Sequence, residues 1–329
     1  MPKALYILGD TAYGVIYKAV AEQIASLVDV YAPPQTSEVI DADPAVLADM
    51  EIMLSGWKGP RVDERFLAAA PRLKAVFYGA GSIRATVSDA FWDRGITICS
   101  AWGANGIPVA EYTIAQIVLL LKKVWHYALR IKREKAWGRR IGVPGAYGST
   151  VGIISLSLVG RRVCELLRPF DLKIVAYDPY AQPQTAKELN VELVSLADIF
   201  RRSDVVSLHT PWLKETEGLI TGEHFRMMKH DAAFLNTARG AVVRQNEMIE
   251  VLRQRPDLWA VLDVTHPEPP EAGSPLYELP NVVLTPHIAG PVSGESRRQG
   301  EFMLSELKRY LAGQPLQWQV TREKAAIMA

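Results

Sequence analysis

The stretch from Ser149 to Tyr180 constrains the fold more than any other part of the chain. Val151-Gly152-Ile153-Ile154 is a continuous apolar run, as in a parallel strand buried on both faces. A turn of small residues follows. Val163, Leu166, Leu167 and Phe170 then recur at three- and four-residue spacing, which predicts a helix with one apolar face. A second apolar run, Lys173 to Tyr177, ends in Asp178. Strand, turn, helix, strand and terminal carboxylate is the layout of a dinucleotide-binding βαβ unit. A pyrophosphate would sit at the helix N-terminus, where unpaired N–H groups and the dipole favour negative charge. Asp178 follows Gly160 by 18 residues, close to the spacing of a carboxylate that hydrogen-bonds the adenosine ribose. A carboxylate there repels a 2′-phosphate, so NAD is expected rather than NADP.

The turn departs from the glycine fingerprint G-x-G-x-x-G. This chain has Ser155-Leu156-Ser157-Leu158-Val159-Gly160, keeping the third glycine, which lets helix and strand pack closely. The first glycine usually serves the tight turn and the second lets the backbone approach the pyrophosphate. The hydroxyl of Ser157 could donate to a phosphate oxygen or crowd it. A parallel unit that binds nothing is the competing reading of this stretch.

With 329 residues the chain has room for two ordinary domains. Its formal net charge of +1 leaves no polyanion footprint, so nucleic acid is not an expected partner. Cys99 and Cys164 lie in apolar segments without metal or redox spacing. They read as small core residues in a reducing compartment, and no metal site is expected. The N-terminal MPKALYILGD reads as a first strand, its apolar part too short for a signal peptide. The run Ile114–Leu121 is shorter than a membrane span. The expectation is a cytosolic protein without a membrane partner.

Strand and helix signals alternate along both halves. Strands are expected at Ala4–Leu8, Val28–Tyr31, Ile52–Ser55, Leu73–Tyr78 and Gly95–Cys99, with helices at Tyr13–Leu27 and Glu64–Ala70. A long helix is expected from Pro108, with the proline in its first turn, and a loop from Ile131 to Gly148. Beyond Asp178, strands are expected at Val205–His209, Ala233–Asn236, Trp259–Val264 and Val282–Thr285, and helices at Leu196–Arg201, Gln245–Gln254 and Glu301–Leu311. This rhythm argues for α/β architecture with parallel sheets covered on both faces. The loop Gly79-Ala80-Gly81-Ser82 directly follows a strand, and its N–H groups could hold an anion. His209, Arg239, Asp263 and His287 each stand at a strand end able to face a ligand.

Those strand-end residues carry a specific resemblance. Ser207-Leu208-His209-Thr210-Pro211, Asn236-Thr237-Ala238-Arg239-Gly240, Asp263-Val264-Thr265-His266-Pro267-Glu268-Pro269 and Thr285-Pro286-His287-Ile288-Ala289-Gly290 occur in this order. Val109-Ala110-Glu111, Asn105 and Arg94-Gly95-Ile96 fit the same pattern. Together they make the chain similar to the D-isomer-specific 2-hydroxyacid dehydrogenases, the family of phosphoglycerate and hydroxypyruvate or glyoxylate enzymes. The resemblance covers nearly the full length.

What the resemblance implies is a catalytic trio of Arg239, Glu268 and His287. Taken singly, Arg239 reads as a surface charge, Glu268 as loop solvation and His287 as a satisfied core residue. Reduction of a 2-keto acid gives them roles. A histidine supplies the proton for the carbonyl oxygen, a carboxylate orients the imidazole, and an arginine fork holds the substrate carboxylate. The resemblance also implies NAD-binding roles for Ser157, Leu158, Val159, Gly160, Asp178, Pro179, His209, Thr210, Pro211, Thr216, Thr237, Ala238, Asp263 and Ala289. Ala80, Gly81 and Asn105 would meet the substrate. Several residues depart from the family pattern: Ser155 and Ser157 in the turn, Ile83 after the substrate loop, Thr265 after Asp263-Val264, and Pro291-Val292 after Gly290. Trp57, Tyr78 and Trp102 are candidate pocket walls.

The implied architecture is two doubly wound parallel-sheet domains, Rossmann-like and flavodoxin-like, with the active-site cleft between them. Residues 1–101 and 291–329 would form a discontinuous substrate-binding domain, and 102–290 the NAD-binding domain. A homodimer through the NAD-binding domain is the family expectation. The leading function is an NAD-dependent dehydrogenase acting on a small-molecule 2-hydroxy or 2-keto acid. The alternatives are an NAD(H)-sensing, corepressor-like binding protein with little turnover, and a scaffold that has lost its cofactor.

Overall fold

The computed structural model describes residues 1–140 and 142–327. The expected loop through Ile141 and the last two residues of the C-terminal segment fall partly outside that range. The chain divides into two compact units, Met1–Gly106 with Pro291–Ala329, and Ile107–Gly290. Both are parallel α/β units.

In the first unit the strands are β1 (Lys3–Ile7), β2 (Asp29–Val30), β3 (Ile52–Ser55), β4 (Ala75–Tyr78) and β5 (Thr97–Ser100). They form a parallel sheet in the order β2-β1-β3-β4-β5, the flavodoxin-like arrangement. Successive side chains serve opposite faces. Ala4, Tyr6 and Leu54 enter one buried cluster, while Leu5, Ile7 and Met53 enter another. The helix Arg297–Leu311 returns to this unit and buries Met303, Leu304 and Leu307 against the first cluster. The expected helix Tyr13–Leu27 is broken. It runs as Asp10–Ile16, a 3₁₀ turn and Ala21–Ala25, with fully buried Tyr17 at the break hydrogen-bonded to the carbonyls of Ser55 and Phe77.

In the second unit the strands are β6 (Thr150–Ile154), β7 (Lys173–Tyr177), β8 (Glu192–Leu193), β9 (Val205–Leu208), β10 (Ala233–Asn236), β11 (Trp259–Leu262) and β12 (Val282–Leu284). Their order is β12-β11-β10-β9-β6-β7-β8, all parallel. The chain leaves β6 to one side for β7 and returns on the other for β9. The loops after β6 and β9 therefore flank a topological switch point, where α/β sheets open a crevice. Alternation again fills both faces: Val206, Leu208 and Phe234 on one side, Val151, Ile153 and Leu235 on the other. Each such fully buried side chain contributes about 1.5–3 kcal/mol.

The helix expected from Pro108 begins earlier, at Trp102, and runs to Leu121 with Pro108 inside it. Proline favours a first helical turn but does not define one, and here the division between units falls directly ahead of it. The helix has 20 residues and a mean hydropathy of 1.3, enough by length and composition to cross a membrane. Its apolarity is accounted for by packing: Ala110, Ile117, Leu120 and Leu121 lie in the core beside β6 and β9. A second helix, Val124–Glu134, occupies the start of the segment expected to be a loop. Cys99 and Cys164 are buried in the core, and burial pushes the Cys164 thiol up to about 12.

Candidate active site

The turn after β6 keeps the shape of a glycine turn without the glycines. Ser155 sits at φ +78°, in the left-handed region, at a cost of roughly 1–2 kcal/mol for an L-residue. Gly160 packs so closely that an added Cβ would lie 2.1 Å from the Ser155 carbonyl oxygen. Ser157 caps the helix Leu158–Leu167, its Oγ accepting from the Gly160 N–H at 3.5 Å. The same hydroxyl donates to the His209 carbonyl at 3.0 Å. Its proton, one candidate phosphate donor in the sequence, is therefore used to tie together the two loops at the switch point. The N–H groups of Leu158 and Val159, at the helix start, have no intrahelical acceptor and remain the donors for an anion.

At the end of β7, Asp178 accepts from the Leu156 N–H at 2.7 Å and the Tyr180 N–H at 2.8 Å. Each carboxylate oxygen retains a further lone pair. Pro179 beside it is exposed. After β9, His209 is buried with Nε2 2.9 Å from the Ser207 hydroxyl. Burial pushes its pKa down to about 3, so the ring is neutral. His209 Nδ1 and the buried Thr210 Oγ1 have no hydrogen-bond partner among the described residues. Orphaned buried polar atoms beside a switch point suit a ligand with polar groups of its own. Thr216 shapes the following loop, donating to the Pro211 carbonyl at 2.6 Å and accepting from the Leu213 N–H at 2.8 Å. Free helix-start donors, a carboxylate with spare lone pairs and these orphans fit a dinucleotide.

The loop after β10 is built by Asn236, which accepts from Ala238 N–H and donates to the Arg239 carbonyl, both at 3.0 Å. Arg239 is half-buried, and its Nη1 donates to the Ala238 carbonyl at 2.6 Å. The Thr237 hydroxyl meets that of Thr113 at 2.9 Å. Gly240 brings this loop onto the next: an added Cβ would lie 2.0 Å from the Thr265 carbonyl carbon.

After β11, buried Asp263 acts as a clamp. Its Oδ1 accepts from the Thr285 hydroxyl at 2.6 Å and the Ile288 N–H at 2.9 Å, and its Oδ2 from the Ala289 N–H at 2.9 Å. Its carbonyl accepts from the His287 N–H at 3.0 Å. Four bonds thus hold the backbone around His287, which stands at φ +53°, a strained conformation that persists where its surroundings over-determine it. His287 Nδ1 then lies 2.5 Å from Glu268 Oε1. The pair is half-exposed and lines a depression of about 430 Å³ together with Asp263, Thr265, Tyr277 and Thr285. With Nδ1 engaged, Nε2 is left for proton exchange with a ligand.

In the first unit the loop after β4 is held by Ser100, whose hydroxyl meets the Ala80 carbonyl at 2.9 Å and the Gly81 carbonyl at 2.6 Å. Asn105 lies over Gly81, its Nδ2 3.1 Å from where a Cβ would be. Ile83, Tyr78 and Trp102 are core side chains here: the first two are buried, and Trp102 packs edge-on against Trp318.

Three supporting contacts escaped the sequence reading. Tyr112 hydrogen-bonds Thr285 at 3.0 Å, and Thr113 meets Thr237; both lie on the long helix, where the pattern offers Tyr112 only as part of an apolar face. Gln245 accepts from the His266 N–H at 3.1 Å and so fixes the loop leading to Glu268. A polar residue opening a helix was the available signal.

Residues 114–289 match the family model described as "D-isomer specific 2-hydroxyacid dehydrogenase, NAD binding domain". The chain is 32% identical over 258 residues to a D-3-phosphoglycerate dehydrogenase of Archaeoglobus fulgidus, covering 78% of this chain and 49% of that protein. It thus spans about half the length of the phosphoglycerate dehydrogenases it matches. A glyoxylate reductase of Korarchaeum cryptofilum is 31% identical over 86% of this chain and 85% of its own length. Among solved structures, the TT0316 protein of Thermus thermophilus superposes with a TM-score of 0.77 at 27% identity, covering 97% of this chain and all of that one.

Proposed function

The chain belongs to the D-isomer-specific 2-hydroxyacid dehydrogenase family, its residues 114–289 matching the NAD-binding domain, and from that premise we propose that it interconverts a small D-2-hydroxy acid and its 2-keto acid. The observation that carries this reading is the 2.5 Å contact between His287 Nδ1 and Glu268 Oε1. It is the arrangement of a general acid–base held by a carboxylate.

NAD(H), when bound, supplies or accepts the hydride. The chain's own residues do the rest. Arg239 holds the substrate carboxylate with its fork of donors and draws charge toward the carbonyl oxygen. In reduction, His287 gives the Nε2 proton to that oxygen; in oxidation it takes the hydroxyl proton. Glu268 keeps the ring oriented and stabilises the imidazolium. Asp263 holds the backbone that presents His287. Leu158 and Val159 would meet the pyrophosphate, and Asp178 the adenosine ribose, where its charge disfavours a 2′-phosphate. Ala80, Gly81 and Asn105 would receive the substrate carboxylate. The reading includes a cytosolic homodimer assembled through the second unit. The homodimer part of it is supported by two large aromatic side chains left exposed on this unit, Trp137 at 80% and Tyr147 at 87%.

The test is tryptophan-fluorescence titration with NADH and NADPH, followed by NADH oxidation with glyoxylate, pyruvate, hydroxypyruvate and phenylpyruvate. Saturable NADH binding, weaker NADPH binding and turnover of at least one acid are expected. Binding without turnover of any acid would favour a nucleotide-sensing role, and no binding would end the enzymatic reading.

A further inference from the structure

Gln299 lies on the helix Arg297–Leu311 and is fully buried. Its Nε2 donates to Asn105 Oδ1 at 3.1 Å. Its own Oε1 has no hydrogen-bond partner among the described residues. A buried amide with an orphaned oxygen is costly, and an apolar side chain of the same length would avoid that cost.

The single bond it does make has a geometric consequence. The Asn105 amide has two ends, an acceptor and a donor, and rotation by half a turn exchanges them. In the orientation seen, Oδ1 takes the Gln299 donor. In that orientation Nδ2 is the end lying over Gly81, 3.1 Å from where a Cβ would be. The donor end of Asn105 is thereby turned to the loop whose backbone follows β4.

The helix carrying Gln299 is fixed at this level by its neighbour. Gly300 sits so close to the end of the helix Asp10–Ile16 that an added Cβ would lie 2.0 Å from the Ile16 carbonyl oxygen. Gln299 cannot slide along the axis without breaking that contact. All these groups belong to the unit made of Met1–Gly106 and Pro291–Ala329.

We propose that Gln299 is a positioning residue for substrate selection: it locks the Asn105 amide so that Nδ2 donates to the carboxylate of the 2-keto acid at the Gly81 loop. This rests on the reading of Asn105 and Gly81 as substrate-facing given above. Gln299 itself does not touch the substrate and acts through Asn105.

The test compares the parent enzyme with Gln299→Met, Asn105→Ala and the double variant, using NADH and the same four acids. Gln299→Met is expected to raise KM for the acid about tenfold, the loss of roughly one hydrogen bond, while kcat and the Kd for NADH stay within twofold. The double variant is expected to be no worse than Asn105→Ala alone, because both substitutions remove the same contact. Gln299→Leu, which removes the donor without filling the same length, repeats the comparison if the Met variant does not fold. An unchanged KM overturns the inference, as do additive effects in the double variant or an equal loss of NADH affinity. Those results leave the dehydrogenase reading standing. A parent enzyme that turns over none of the acids overturns both.

Discussion

Glu268 and His287, 19 residues apart in the chain, meet at 2.5 Å between Oε1 and Nδ1. Neither residue lies in a strand or helix. The contact is made by two loops, each held from outside itself: the loop of Glu268 by Gln245 on the His266 N–H, and that of His287 by the Asp263 carboxylate on the Ile288 and Ala289 N–H groups. Gln245 and Asp263 thus set the separation of Glu268 and His287.

In the proposed mechanism the His287 ring is the proton donor. His287→Ala is expected to lower kcat by about 10²–10⁴-fold, the usual contribution of a positioned acid–base group, with NADH affinity retained. Glu268→Gln keeps an acceptor for Nδ1 but loses the charge that stabilises the imidazolium, so a smaller loss is expected. Steady-state rates with saturating NADH decide this. Equal activity of His287→Ala and parent would remove His287 from the chemistry.

Gly240 couples the Arg239 loop to the loop that leads to Glu268. A Cβ there would press on the Thr265 backbone at 2.0–2.1 Å, where no flexible side chain can give way. Gly240→Ala is expected to destabilise the fold by about 1–3 kcal/mol in urea unfolding. The forced separation should also cost on the order of 10²-fold in kcat/KM, the scale of an ångström misplacement of a catalytic group. Wild-type stability and activity in this variant would show that the loops are free to move apart.

Ser155 holds a left-handed backbone that a glycine adopts without strain. Relief of about 1–2 kcal/mol exceeds the roughly 0.5–1 kcal/mol of extra chain entropy that glycine loses on folding. Ser155→Gly is therefore expected to raise Tm by a few degrees or leave it unchanged, with NADH affinity equal or tighter. A lowered Tm would mean that the serine side chain contributes more than its backbone strain costs.

The parallel sheets were legible in the sequence because strands buried on both faces appear as unbroken apolar runs, as in Val151–Ile154 and Ala233–Leu235. Several short helices were not, although Glu64–Ala69 and Leu196–Arg202 were. Ser37–Ala42, Asp89–Asp93 and Pro183–Leu189 span two turns or fewer, too short to show a 3.6-residue period. Pro108 misplaced a helix start because its preference for the first turn is local, whereas the helix is held by tertiary packing. In the site, residue types at strand ends singled out Arg239 and His287, and the family resemblance added Glu268. The backing of Asp263 by Tyr112 through Thr285, and the diversion of the Ser157 hydroxyl to the His209 carbonyl, depend on contacts between distant segments that no local pattern encodes.

His209 makes acid stability a test of burial. Its ordinary value of 6.5 is pushed down to about 3 by desolvation in the folded chain. Between those two values the unfolded chain takes up a proton that the folded chain refuses. The unfolded state then binds more protons, so stability rises with pH across this window and falls as pH drops from 6.5 toward 3. The slope from this one group reaches at most about 1.4 kcal/mol per pH unit. His209→Gln offers an amide to the Ser207 hydroxyl and does not titrate. Its unfolding free energy in urea is expected to fall less steeply than that of the parent from pH 6.5 to 5, by up to about 2 kcal/mol over the interval. The acid response of the carboxylates is common to both proteins and cancels in the difference. Parallel curves for the two proteins would mean that the folded chain accommodates a charged His209 in this range.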